Sequence, residues 1–263
     1  MTTTWSRALI TGASSGIGRA FAVQLAAEGA DLVLVARGAQ RLGDLATELE
    51  AAHGVAVEVI AADLTVGEER RRVEERLVAE PTVDLLVNNA GFGTYGPLVE
   101  LDVDTEVNEI ELNVVALARL TRVALPGMVE RGRGWILNVS SIASLHPTPG
   151  HATYGATKAF VTSFSESVHE EVRGTGVRVT AVLPGHTRTE FQDRAELTDM
   201  GKIPGVLWQT AEACAAESLA GMRAGRALVV TGRVNQVAAA GGSVLPRTVK
   251  RRIVRAVSGR LTG

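Results

Sequence analysis

A chain of 263 residues, 46% hydrophobic and 21% charged with a formal net charge of −2, has the makings of a globular core and excludes both a disordered chain and a broadly basic nucleic-acid binder. The single cysteine, Cys214, excludes an internal disulfide and fits a reducing compartment, where it reads as a small buried apolar residue. The charge is uneven: six basic residues and no acids stand from Arg247 onward, leaving 21 basic against 29 acidic residues, a balance of −8, before that point.

The first strand-like run is RALITG (7–12). The few residues before it leave no room for a charged and then apolar leader, and no stretch of 18 consecutive apolar residues follows, so a soluble, cytoplasmic protein is expected. Directly after the run comes TGASSGIG (11–18), in which Gly12, Ser14, Ser15, Gly16, Ile17 and Gly18 lead into a helix over 18–28. Glycines in that place allow a tight turn and close backbone approach. A pyrophosphate can then lie against the helix N-terminus, where unpaired N–H groups and the helix dipole favour an anion.

The second run, DLVLVAR (31–37), ends on Ala36 and Arg37 with no acid. An acid there would bind the adenosine ribose 2′-hydroxyl, whereas an arginine accommodates a 2′-phosphate. NADP(H) is therefore expected over NAD(H), with Arg37 as the phosphate contact and Arg41 as a weaker second; the alternative is a solvated loop charge. A helix over 40–53 leads to VAVEVIAADL (55–64), which sets Asp63 and Leu64 at a strand end. Asp63 either meets the adenine amino group or caps the next helix, over 68–80. In DLLVNNAG (84–91), the small residues Asn89, Ala90 and Gly91 suit a backbone lying against a cofactor, and Asn88 is either cofactor support or a link between strands.

A long helix over 102–131 precedes GWILNVSS (134–141), which brings Ser140 and Ser141 to the same rim. The helix over 153–173 opens with YGATK, placing Tyr154 and Lys158 four residues apart on one face. Alone, each holds its proton too tightly to exchange near neutrality, with ordinary pKa values of about 10 and 10.4. The pair is either surface decoration or a phenol drawn toward a working range by a nearby cation. GVRVTAVLPG (176–185), a helix over 210–224 and ALVVTG (227–232) complete the alternation. The pattern specifies an α/β fold: a doubly wound parallel seven-stranded sheet in a single Rossmann-type domain over 1–245. Such sheets bind ligands at the carboxyl ends of their strands.

Taken together, TGASSGIG at 11–18, NNAG at 88–91, Asn113 in ELNVVA, Ser141 in NVSS, YGATK at 154–158 and PGHTRT at 184–189 resemble the short-chain dehydrogenase/reductase family, in order, over roughly residues 7–190. The resemblance implies an NADP(H)-dependent oxidoreductase that interconverts a ketone and a secondary alcohol. Tyr154 would be the acid in reduction and the base in oxidation. Lys158 would lower its pKa and hold the nicotinamide ribose, Ser141 would hydrogen-bond the carbonyl oxygen, and Asn113 would hold a water joining Lys158 to solvent. Pro184 and Gly185 would turn the chain so that Thr189 and the neighbouring backbone clasp the nicotinamide carboxamide; Thr187 stands where the family commonly has a branched aliphatic residue. A homo-oligomer, dimer or larger, would fit the family. The rival reading is a non-catalytic NADP(H) sensor or scaffold, against which the full proton-transfer set argues.

Substrate identity is expected to lie in the segment 186–208, which interrupts the alternation as a lid, and in neighbouring loops. Phe92, Tyr95, Leu145, His146, His151 and Phe191 are candidate pocket residues for a lipophilic small molecule. His146, His151 and His186 lack the spacing of a zinc site, so no metal is expected. In the basic tail, 246–263, Val249, Ile253 and Val257 recur at helical spacing behind Leu245. Packing on the protein's own body or a second subunit is expected there in preference to an anionic membrane surface, and no nucleic-acid role is expected.

Overall fold

In the computed structural model the described residues are 5–188, 205 and 208–236; Thr189, Phe191, most of the 186–208 segment and the basic tail lie outside them. The strands are β1 (Arg7–Thr11), β2 (Asp31–Ala36), β3 (Val57–Ala61), β4 (Leu85–Asn88), β5 (Gly134–Val139), β6 (Val177–Leu183), β7 (His186–Arg188), β8 (Trp208–Thr210) and β9 (Leu228–Val230). Seven of them form one parallel sheet in the order β3-β2-β1-β4-β5-β6-β9. The helices are α1 (Gly16–Ala27), α2 (Ala39–His53), α3 (Gly67–Val78), α4 (Val103–Ile110), α5 (Leu117–Glu130), α6 (Ala152–Glu171) and α7 (Ala211–Arg223).

The strands are continuously apolar because both sheet faces are covered. Successive residues of β1 divide between them: Ala8 and Ile10 join one core and Leu9 the other. The first core takes Phe21 and Leu25 of α1, Leu42 of α2 and Leu219 of α7; the second takes Val73 of α3, Leu120 of α5 and Val168 of α6. Fully burying a side chain such as Phe21 or Leu120 contributes about 1.5–3 kcal/mol. Helix starts are fixed locally: Asp102 accepts from the Thr105 N–H at 2.8 Å to begin α4, and Thr210 caps α7 through the Ala213 N–H.

Two features were not expected from the pattern. The long helix is interrupted by a π-helical turn, Glu111–Ala116, between α4 and α5. The ends of the 186–208 segment are drawn together as the parallel pair β7–β8, with His186 and Trp208 in ring contact at 5.7 Å. The stretch Val103–Glu130 is also long and apolar enough, with a mean hydropathy of 1.3, to match a membrane-crossing helix by length and composition alone. Here α5 packs against α3, β4 and β5 as a core helix.

The sheet order reverses between β1 and β4, because the chain winds from β1 outward to β3 and then returns to the other side of β1. That switch point opens a crevice at the carboxyl ends of β1 and β4. The glycine turn after Thr11 and the small residues after Asn88 meet there.

Candidate active site

Thr11 stitches the crevice. Its hydroxyl accepts from the N–H groups of both Asn89 and Ala90 at 2.9 Å, and its carbonyl accepts from the Asn89 amide at 2.9 Å. The glycine turn then passes too closely for side chains: a Cβ on Gly18 would lie 2.2 Å from the Gly12 carbonyl oxygen. Ser15 precedes α1 without a side-chain capping bond, and no acid stands in the helix's first turn. The first N–H groups of α1 therefore face the crevice without a side chain that would compete for them. This cradle fits the pyrophosphate of a dinucleotide.

At the end of β2, Arg37 is exposed, with its guanidinium 3.8 Å from Asp63. Asp63 itself closes a turn, its Oδ1 accepting from the Thr65 N–H at 2.9 Å and hydroxyl at 2.7 Å. Of the two roles open to Asp63, the turn before α3 is the one its contacts serve. Leu64 is buried beside it. Asn88 is a link between elements: buried, it donates to Thr121 of α5 at 3.0 Å and to Asn138 of β5 at 2.9 Å. Neither role of Asn138 was visible in the sequence. Its own amide donates to Ser165 of α6 at 2.9 Å, so one polar chain ties β4, β5 and α6 together.

The predicted reacting groups converge on the same rim. Ser141 follows β5 and starts a short 3-10 turn, its Oγ accepting from the Ala143 N–H at 3.1 Å, and its hydroxyl lies beside the Tyr154 phenol, whose pKa it draws down. Lys158 is buried; its ammonium donates to the Val139 carbonyl at 3.0 Å and stands 5.7 Å from the centre of the Tyr154 ring. Ser140, by contrast, faces inward and donates to the Lys158 carbonyl at 2.7 Å, fixing α6 to the strand. Asn113 lies in the π-helical turn. Its amide donates to the Phe92 carbonyl at 2.8 Å and its oxygen accepts the Phe92 N–H at 3.1 Å. A Cβ on Gly91 would lie 2.8 Å from Asn113 Oδ1 and 3.3 Å from Lys158 Nζ, so glycine leaves these two groups flanking one small space.

Burial is the largest influence on both Tyr154 and Lys158: it pushes the phenol up to about 12 and brings the ammonium down to about 8. The Ser141 hydrogen bond opposes the rise on the phenol, and the charge of Glu109 adds to it.

The remaining pocket candidates divide. Gly93 crosses directly over the tyrosine, where a Cβ would meet the ring at 2.7 Å, so Phe92 and Thr94 border the reacting group. Tyr95 stacks near His151 at 4.9 Å, and His151 lies 6.0 Å from the Tyr154 ring. His151 donates from Nδ1 to the Thr94 carbonyl, 2.7 Å away, and burial lowers its pKa. Leu145 is half-buried in the 3-10 turn, whereas His146 is exposed with its ring against the Pro147 carbonyl and joins none of these contacts. Pro184 accepts the Ile142 N–H at 3.0 Å, which sets the PGHTRT turn beside Ser141. A Cβ on Gly185 would strike Asn235, and Thr187 is buried, bonded to the Gly185 carbonyl at 3.1 Å. Among the described residues no cluster of three or more His, Cys, Asp or Glu side chains could hold a metal ion.

Residues 6–199 match the short chain dehydrogenase family model. The chain belongs to the short-chain dehydrogenase/reductase family. A short-chain dehydrogenase from Sphingobium yanoikuyae, solved in complex with NADPH, is 37% identical to it, with a TM-score of 0.83 over 90% of this chain and 92% of that one. A bulky-bulky ketone specific alcohol dehydrogenase from Comamonas testosteroni is 30% identical, with a TM-score of 0.78 over 99% of this chain and 95% of that one. A very-long-chain 3-oxoacyl-CoA reductase from Mycosarcoma maydis is 42% identical over 179 residues, which make up 66% of this chain and 51% of the relative. The chain thus spans about half the length of that curated relative.

Proposed function

We propose that this short-chain dehydrogenase/reductase uses NADP(H) to interconvert a ketone and a secondary alcohol on a lipophilic small molecule. The observation that carries the reading is the convergence of Ser141, Tyr154 and Lys158 on the rim of a crevice whose glycine turn fits a dinucleotide. Bound there, the cofactor would supply or accept the hydride. The chain's own groups would handle the proton and the charge: Tyr154 gives its proton to the carbonyl oxygen during reduction, and Ser141 donates a hydrogen bond to that oxygen as negative charge builds on it. Lys158 supplies the cation beside the phenolate that results, and Asn113 joins Lys158 toward solvent through the space that Gly91 leaves.

Preference for NADP(H) is supported by Arg37 at the end of β2 and by the NADPH bound to the Sphingobium relative. Lipophilic substrates are supported by the names of two relatives, one acting on bulky ketones and one on very-long-chain acyl groups. In this reading Tyr95 and His151 line the mouth of the site. A homo-oligomer is part of the proposal, supported by the apolar outer face of α4, and so is a cytoplasmic setting, supported by the lone buried cysteine.

The test is oxidation of NADPH and NADH with ketones of increasing chain length and ring size, beside binding titrations of both cofactors. Turnover of a lipophilic ketone with NADPH is expected. Binding of NADPH with no turnover of any ketone or secondary alcohol would overturn the catalytic reading.

A further inference from the structure

Helix α4 buries two of its three acids and exposes its apolar residues. Glu106 and Glu109 are 8% and 0% exposed, while Val103, Val107 and Ile110 are 72%, 50% and 43% exposed. Burying a carboxyl group is costly unless it is paired or neutralised, so the arrangement requires a compensating role for the acids. Glu109 lies one helical turn before Asn113. Its Oε2 accepts from the Thr94 N–H at 3.0 Å and lies 3.1 Å from the Thr94 hydroxyl. That hydroxyl also stands 2.5 Å from Glu106 Oε1, and the other oxygen of Glu106 accepts from Thr153, the residue before Tyr154. Glu109 Oε1 is buried without a hydrogen-bond partner. A threonine hydroxyl has one proton to donate. Glu106, the nearer carboxyl group, takes it, and the Thr94 N–H serves Glu109.

We propose that Glu109 is a positioning residue for proton transfer: it ties the Phe92–Tyr95 loop over Tyr154 and, when ionised, forms the buried counter-charge of Lys158. The inference rests on the reductase reading of the site, and nothing in the family motifs quoted above includes this residue. The ionisable groups around Glu109 are Glu106 on its own helix, Lys158 and Tyr154 on α6, His151 at the start of α6 and Tyr95 in the loop. Burial pushes the Glu109 carboxyl up to about 7 while Lys158 draws it down. Reciprocally, Glu109 raises Lys158 against the burial that lowers it. Above neutrality the ionised acid therefore keeps the lysine charged to higher pH than burial alone allows, and with it the cation beside the phenol.

Infrared titration of the intact protein tests the coupling without any substrate. The carbonyl band of a protonated carboxylic acid, assigned to Glu109 by its loss in Glu109→Gln, should titrate near neutrality in the native protein. In Lys158→Met its midpoint should move to higher pH by about half a unit or more. Equal midpoints would overturn the proposal whether or not a ketone is ever turned over, which separates its failure from failure of the reductase reading. With a ketone substrate in hand, Glu109→Gln should bring the alkaline limb of the kcat profile to lower pH, and Glu109→Asp should restore it. A limb that stays in place in Glu109→Gln would overturn the proposal even if the variant is slower or less stable. Where the glutamine variant does not fold, the band is assigned by its shift in Glu109→Asp and the Lys158→Met titration carries the test: a midpoint that moves up supports the role and an unmoved one removes it.

Discussion

The Ser141 hydroxyl lies beside the Tyr154 phenol although twelve residues, with a 3-10 turn and a loop, separate them in the chain. The contact is possible because Ser140, one residue earlier, holds the Lys158 carbonyl and so pins α6 to the end of β5. One serine sets the helix and the next presents its hydroxyl to the phenol.

Replacing Tyr154 by Phe removes the proton donor and little volume. NADPH binding should persist within a few-fold, while kcat for ketone reduction should fall by about 10²-fold or more, the ordinary contribution of a positioned acid. Steady-state kinetics with a turned-over ketone measure both. Full activity would remove Tyr154 from the mechanism.

Arg37 is exposed and paired only loosely with Asp63. Arg37→Asp should weaken NADPH by about tenfold or more, as expected for loss of a charge-assisted hydrogen bond, with little effect on NADH. The ratio of the two kcat/KM values reads this directly, and an unchanged ratio would place the 2′-phosphate elsewhere.

Asn88 is the centre of the buried polar chain joining β4, β5, α5 and α6. Asn88→Ala strands Asn138 Oδ1 and the Thr121 hydroxyl in the core, and each unsatisfied group costs about 1–3 kcal/mol. Urea unfolding should show a loss of several kcal/mol. A loss within experimental error would mean that water or a shifted neighbour takes over the bonds.

Glu109 gives a stability signature with a definite sign. Its carboxyl is raised from 4.5 to about 7 by burial, so the native state keeps a proton that the unfolded chain releases. The stability this provides is complete below about pH 4.5 and is lost as pH rises through about 7, with a span on the order of 3 kcal/mol. The difference in unfolding free energy between the native protein and Glu109→Gln should therefore shrink in the native protein's disfavour over that window. A difference independent of pH would contradict it.

Much of the fold could be read from the sequence because continuous apolar runs, helical spacing and glycine turns are local signals. All seven sheet strands and the main helices fall within a few residues of their expected places. Sequence spacing also brought Ser141, Tyr154, Lys158 and Asn113 into one site, with the family resemblance supplying Asn113. What escaped depends on contacts distant in sequence. Nothing in the sequence singles out Thr11, and its role emerges only when its hydroxyl is seen between β1 and β4; Asp63, open in the sequence to an adenine contact or a helix cap, holds Thr65 through one carboxylate oxygen. Glu109 sits among other acids in an ordinary polar helix pattern, and only the outward position of Val103, Val107 and Ile110 shows that the pattern is turned inside out. The π-helical turn adds to the difficulty, because it shifts the helical phase between Glu109 and Leu117 and a single period no longer describes both ends.

The outward row on α4 continues the exposed Leu98 and Val99 just before it, 58% and 91% accessible. Removing such a strip from water by self-association would couple heat resistance to the amount of protein in the tube, since an assembling native state gains by mass action whereas the unfolded chain does not. Midpoints that climb on concentration, and stop climbing once Val107 carries a lysine, would make this small helix a gauge of how many copies the folded protein keeps together.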